Sequence, residues 1–118
     1  MRILLIEDDK KIANALSKNL KAESFAVDVA GDGATGEELA HINDYDVIVL
    51  DLLLPDQDGW TTCRNLRRDN VLTPILMLTA LDDVVKLWNH GFNVKGLVAI
   101  GENRLGLFVC SRLVKEKF

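Results

Sequence analysis

The chain has 118 residues, room for one ordinary domain. Lys and Arg number 14 against 18 Asp and Glu, a formal net charge of −4 that argues against a nucleic-acid-binding surface. An apolar fraction of 48% with 27% charged residues is a globular composition, and no apolar run approaches the ~20 residues that span a bilayer.

Short apolar runs alternate with amphipathic stretches along the chain. Ile3 to Ile6 reads as a strand buried on both faces. Ile12, Ala15, Leu16, Asn19 and Leu20 follow a helical period, which predicts a helix over Lys10 to Ala22 with a narrow apolar stripe. Phe25 to Val29 is the second expected strand. Ala34 to His41 is the second helix, with Thr35 and Glu38 at capping-box spacing near its start. Val47 to Leu50 is a third strand, closed by Asp51, and Trp60 to Arg68 a third helix. Pro74 opens a fourth strand, Ile75 to Leu78. Asp82 and Asp83 suit the N-terminus of a helix over Val84 to Asn89. Leu97 to Ile100 and Arg104 to Lys117 are read as a fifth strand and a last helix, with Gly101 to Phe108 as a second possible register for the strand. Strict alternation of strand and helix predicts a parallel α/β sheet with helices on both faces.

In open sheets of this kind ligands sit at the carboxyl ends of the strands, where strand order reverses. The first strand ends in Glu7-Asp8-Asp9 and the third in Asp51. With strand order 2-1-3-4-5 these two strands are neighbours, and Glu7, Asp8 and Asp51 converge. Asp9 alone reads more simply as the cap of the next helix. Carboxylates packed together disfavour one another's charge and call for a cation. Hard oxygen donors suit Mg²⁺. Thr79 ends the adjacent fourth strand, so its hydroxyl would face the same crevice. An Asp carboxylate can act as a nucleophile toward phosphorus, a metal can shield the incoming charge, and a Thr hydroxyl can bond a phosphoryl oxygen.

Three segments carry a family resemblance: Arg2-Ile-Leu-Leu-Ile-Glu-Asp-Asp9, Asp46-Val-Ile-Val-Leu-Asp-Leu-Leu-Leu-Pro-Asp-Gln-Asp-Gly-Trp60 and Pro74-Ile-Leu-Met-Leu-Thr-Ala80. Over residues 1–85 the chain resembles the receiver domain of bacterial response regulators, most closely the OmpR/PhoB class. The resemblance implies a flavodoxin-like fold with a five-stranded parallel sheet, in a single domain over residues 1–118. It implies that Asp51 is the phosphoacceptor and that Asp8 and Asp51 are Mg²⁺ ligands. Glu7 would hold metal-bound water, and the backbone carbonyl of Leu53 would complete the set. Thr79 would be the hydroxyl that senses the phosphoryl group. The implied donor is a phosphohistidine on a sensor histidine kinase. The domain would be a signalling switch and no enzyme, feeding transcription regulation without itself touching nucleic acid or membrane. It would stand alone or be a fragment of a larger regulator.

Residues 86–118 depart from the family pattern. Receivers carry a Lys-Pro pair at the end of the fifth strand, and the prolines here are Pro55 and Pro74. With the fifth strand at Leu97 to Ile100, the Lys position falls near Gly101 or Glu102. Lys95 would start that strand, ~17 Å from the crevice at ~3.3 Å per residue. The expectation is retained metal binding with slower phosphorylation or broken coupling to output. The family's homodimer face, made of the fourth helix, fifth strand and fifth helix, is altered. An engineered or degenerate scaffold without phosphotransfer is the alternative.

A rival motif is present. Gly31-Asp-Gly-Ala-Thr-Gly36 matches the dinucleotide fingerprint, with Gly31, Gly33 and Gly36 as its glycines and Asp51 roughly 20 residues on. It sits after the second strand where the fingerprint normally follows the first, and it leaves Glu7, Asp8 and Thr79 without a role. The simpler reading is a glycine-rich turn feeding a helix.

His41 and His90 lack partners at metal-ligand spacing. Cys63 and Cys110 fall on helices covering opposite faces, so no disulfide is expected. Trp60 is expected half-buried near the crevice, Trp88 in the core or at an exposed contact, and Arg64, Arg67 and Arg68 on a solvated helix face. The N-terminus, with no small-residue cleavage site after its apolar run, shows no signal peptide, which points to the cytoplasm.

Overall fold

The computed structural model describes residues 1–51, 54–80, 94–99 and 104–109. Its elements are β1 (Arg2–Ile6), α1 (Lys10–Ala22), β2 (Ala26–Ala30), α2 (Gly33–Ile42), β3 (Val47–Asp51), α3 (Gly59–Arg68), β4 (Ile75–Ala80), β5 (Val94–Ala99) and β6 (Arg104–Val109). The sheet order is β2-β1-β3-β4-β6-β5. From β2 to β4 all pairings are parallel, with Ile6 opposite Ala30 and Leu50, and Asp51 opposite Leu78. The strands and helices up to β4 match the sequence expectation to within a residue or two.

Beyond β4 the sheet differs from expectation. β5 overlaps the expected strand at Leu97 to Ile100 and β6 overlaps its second register, Gly101 to Phe108, but both strands pair antiparallel, and β6 takes the start of the expected last helix. Arg104 to Val109 alternates Leu105, Leu107 and Val109 on a period of two, and Gly106 disfavours helix. The four residues 100–103 are too few for a parallel crossover, which takes a dozen or more. The helix expected over Val84 to Asn89, Trp88, His90, Gly101, Glu102, Cys110 and the rest of the expected last helix lie outside the described residues.

The period-two alternation of β1 sorts its side chains onto two faces. Leu4 and Ile6 join Ile48, Leu50, Ile75 and Met77 in a buried cluster with Ala40 of α2 and Trp60, Cys63 and Leu66 of α3. Ile3 and Leu5 are buried outside that cluster, toward the opposite face. On α1 the buried residues are Ala13 and Ser17, flanked by the half-buried Ile12, Leu16 and Leu20. The stripe is thus turned by one residue from the predicted one, and Ala15 and Asn19 are exposed.

Each of the three described helices is started by an aspartate. Asp9 Oδ1 accepts from the amides of Lys11 (2.9 Å) and Ile12 (3.2 Å), so Asp9 is the cap its position suggested. Asp32 accepts from Thr35 N at 2.7 Å and Asp58 from Thr61 N at 2.8 Å. Thr35 is therefore inside α2 rather than its cap. The ends of α1 and α3 close the same way. Ser24 and Asn70 take φ of 71° and 61°, and the amides of Phe25 and Val71 return to the carbonyls of Leu20 and Leu66.

A polar tie joins Arg2 at the start of β1, Asp28 in the middle of β2 and Tyr45 just before β3. Tyr45 donates to Asp28 at 2.7 Å, Arg2 Nη2 donates to the same carboxylate at 2.9 Å, and the guanidinium lies 5.0 Å from the Tyr45 ring centroid. The Tyr45 and Arg2 hydrogen bonds hold the Asp28 carboxyl below its usual range.

A second tie joins α2 to α3. His41 Nδ1 lies 2.6 Å from the Glu37 carbonyl and Nε2 lies 3.1 Å from Asp69. The Glu37 carbonyl, followed by Asp69, raises the imidazole above its usual value of 6.5. A raised folded value means that the stabilising contribution is complete below about pH 6.5 and fades as pH rises through the folded value. Stability is therefore expected to fall modestly from pH 6 to 8, since both groups are over a third exposed. His41→Gln should flatten that slope in melting temperatures taken across the range. Equal slopes in both proteins would refute the assignment.

Candidate metal and phosphoryl site at the carboxyl end of the sheet

One residue past the Ile6–Leu50 pair, β1 gives way to Glu7 while β3 ends in Asp51. The Glu7 amide donates to Ala30 O at 2.9 Å and carries the β1–β2 ladder one step further. Asp8 follows. One carboxylate oxygen from each of Glu7, Asp8 and Asp51 lies within 4.8 Å of the others. Glu7 is 2% exposed, Asp51 half-buried and Asp8 exposed, so the cluster runs from the interior out to solvent. The sequence-predicted acids are therefore brought together, and Asp9 is turned away to its cap.

The donor set fits a hard divalent cation. Three carboxylate oxygens, from buried Glu7 out to exposed Asp8, stand close enough to share one ion. Thr79 lies on β4 one position past Leu78, the partner of Asp51. Leu53 lies outside the described residues. On the far side of β4, β6 pairs Leu105 with Thr79 and Arg104 with Ala80. Lys95 lies on β5, the sheet edge, with β6 between it and β4. Among the described residues, Arg104, and not a lysine, is thus the cationic residue in register with the end of β4.

The rival glycine motif has its helix amides already engaged. Asp56 Oδ1 accepts from Gly33 N at 2.8 Å and Oδ2 from Ala34 N at 2.9 Å. Asp32 takes Thr35 N through its side chain and Gly36 N through its carbonyl. These are the donors a pyrophosphate would need. Gly33 and Gly36 serve packing instead, while a Cβ on Gly31 would meet nothing within 4 Å. A Cβ on Gly36 would lie 2.5 Å from Ile6 Cδ1, and one on Gly33 would lie 2.5 Å from Gln57 Cγ. This geometry leaves the Gly33, Ala34, Thr35 and Gly36 amides no bond to offer a dinucleotide.

Other expectations are corrected. Trp60 is buried in the core rather than half-buried at the crevice. Arg67 is 8% exposed, and its Nη1 donates to Val71 O at 2.7 Å, whereas Arg64 and Arg68 are exposed. The period of α3 puts Arg67 beside Cys63 and Leu66 on the inner face. Cys63 is a buried free thiol, pushed up to about 11 by desolvation. Asp56 and Gln57 were not singled out from sequence. Each reaches back more than a dozen residues, and a Pro-Asp-Gln-Asp turn gives no local sign of that.

Comparison with known proteins agrees with this geometry. Residues 3–94 match the response regulator receiver domain. The chain belongs to that family, and is a receiver domain of the two-component response regulators. It is 46% identical over 84 residues to the transcriptional regulatory protein CusR of Escherichia coli (strain K12), covering 71% of this chain and 37% of that protein. It is 48% identical over 81 residues to the cell cycle response regulator CtrA of Brucella ovis, covering 69% and 35%. The chain thus spans little more than a third of the curated relatives it matches.

Among solved structures, it is similar to the Francisella response regulator 1452 receiver domain (TM-score 0.70, 35% identity, 75% of this chain and 73% of that one). It is also similar to the receiver domain of the sensor histidine kinase PA1611 from Pseudomonas aeruginosa PAO1, solved with a magnesium ion coordinated in the active site cleft (TM-score 0.65, 32% identity, 68% and 67%). The family match ends at residue 94, where β5 begins. Among the described residues no helix is long and apolar enough to cross a membrane.

Proposed function

We propose that Asp51 is the phosphoacceptor of this receiver domain and that its phosphoryl donor is the phosphohistidine of a sensor kinase. What carries the reading is the gathering of Glu7, Asp8 and Asp51 at the carboxyl ends of adjacent parallel strands. Asp8 and Asp51, Glu7 through water, and the Leu53 carbonyl would hold Mg²⁺. Bound there, the ion would neutralise charge on the acceptor and on the phosphoryl oxygens. An Asp51 carboxylate oxygen forms a bond to phosphorus as the donor's P–N bond breaks, and the electron pair leaves with the imidazole. Thr79 donates its hydroxyl to a phosphoryl oxygen. The domain works in the cytoplasm beside its kinase and passes its state to a transcription-regulating output, with no nucleic-acid contact of its own.

Without the family's Lys-Pro pair, phosphorylation is slower than metal binding alone would allow. The test is intact mass after incubation with acetyl phosphate. A phosphoryl adduct is expected with Mg²⁺, absent with chelator and absent in Asp51→Asn. An adduct that forms equally well in chelator or in Asp51→Asn would refute the reading. A protein that binds Mg²⁺ but never forms the adduct is the degenerate scaffold instead.

A further inference from the structure

The glycine-rich start of α2 has no place in the phosphoryl chemistry, yet it is tied to the segment that follows Asp51. Asp56 lies five residues after Asp51, and its two oxygens take the Gly33 and Ala34 amides. These bonds hold its carboxyl below the usual range. Gln57, the next residue, donates through Nε2 to Thr62 Oγ1 at 2.6 Å and to Glu37 Oε2. Asn65 of α3 donates to the same Glu37 oxygen at 3.1 Å. The approach is close enough that a Cβ on Gly33 would lie 2.7 Å from both Gln57 Nε2 and Thr62 Oγ1. At its next turn α2 rests on Ile6 through Gly36, and Ile6 directly precedes Glu7. A chain of contacts therefore runs from Ile6 of β1, through α2, to Asp56 and Gln57.

We propose that Asp56 is a positioning residue: its carboxylate latches the residues that lead into α3 onto the N-terminus of α2 and so helps hold Asp51, five residues earlier, relative to Glu7 and Asp8. The latch suits the task because charge-assisted bonds from two successive amides set both the distance and the orientation of the loop. The glycine motif then has a physical role. Gly33 gives the loop access to the helix start, and Gly36 sets the helix down on β1. This inference rests on the reading of Asp51 and its neighbours as the metal and phosphoryl site.

The test compares wild type, Asp56→Ala, Asp56→Asn and Gly33→Ala by calorimetric Mg²⁺ titration, rate of labelling by acetyl phosphate, and melting temperature. Leu66→Ala is the control for plain destabilisation. Removing a residue that orients ligands typically costs about 10–100-fold in metal affinity, and the lower end is expected for Asp56→Ala because it acts through a loop. Asp56→Asn, which keeps one acceptor oxygen, should recover part of the loss. Gly33→Ala should weaken Mg²⁺ binding with Asp56 intact, and Leu66→Ala should leave the affinity unchanged. If Asp56→Ala lowers only the melting temperature, or weakens Mg²⁺ no more than Leu66→Ala does, the latch is structural alone and the proposal fails. If wild type itself neither binds Mg²⁺ nor labels, the underlying site assignment fails first.

Discussion

In metal-free buffer, Asp8→Asn is expected to melt at a higher temperature than the unsubstituted protein. Loss of a native side chain usually destabilises, so the sign is the informative part. Glu7, Asp8 and Asp51 bring three carboxylate oxygens within 4.8 Å of one another. Two unit charges about 4 Å apart repel by ~1 kcal/mol in water and by ~4 kcal/mol at a dielectric near 20. Asp8 is the exposed member of the cluster, so its relief sits at the low end. For a domain of this size that is a rise of about 3–6 °C. Asparagine keeps the shape and removes one charge. Added Mg²⁺ should reverse the order. The unsubstituted protein gains stability by mass action as its site fills, and Asp8→Asn gains little. Thermal melts in chelator and in excess Mg²⁺ give both comparisons. An Asp8→Asn protein that is less stable in chelator, and equally stabilised by Mg²⁺, would show that the cluster is no cation site.

Leu66→Ala carries the largest expected loss of stability. Leu66 is fully buried on the inner face of α3, in the cluster shared with Leu50, Ile75 and Met77. Its carbonyl also takes the Val71 amide at the helix end, so the backbone there is pinned and the site cannot collapse freely. Truncations of this kind cost about 2–5 kcal/mol, a large share of the 5–15 kcal/mol that holds a typical domain together. Urea unfolding should show a lower midpoint with an unchanged slope. A loss below ~1 kcal/mol would mean that α3 is not seated as described.

Much of this is legible in the amino-acid sequence. Ile3 to Ile6 and Val47 to Leu50 are apolar on both faces, and only a doubly covered parallel sheet accommodates that. Once these two strands are neighbours, Glu7, Asp8 and Asp51 must meet, and they do. Asp9 was separable from them because a carboxylate just before a helix has local work as a cap. The errors share a cause, which is that contacts distant in sequence decided the outcome. Arg67 looked like its exposed neighbours Arg64 and Arg68, but one step around α3 puts it inside, and the Val71 carbonyl makes its burial tolerable. Thr35 and Glu38 had the spacing of a cap, yet Asp32 reached the free amides first. Asp56 had no local signal, because its partners lie on another helix. Beyond β4 the period-two run with a central glycine admits both a helix and the strand register Gly101 to Phe108, and the short gap before it favours the strand, in a hairpin.

The most direct test of the central claim is the position of the phosphoryl group. After labelling with acetyl phosphate and Mg²⁺, the tryptic peptide spanning residues 22–64 would be sequenced by tandem mass spectrometry. The account predicts a single phosphoryl group on Asp51. A group on any other residue, or on Asp51 when Mg²⁺ has been chelated, would contradict it.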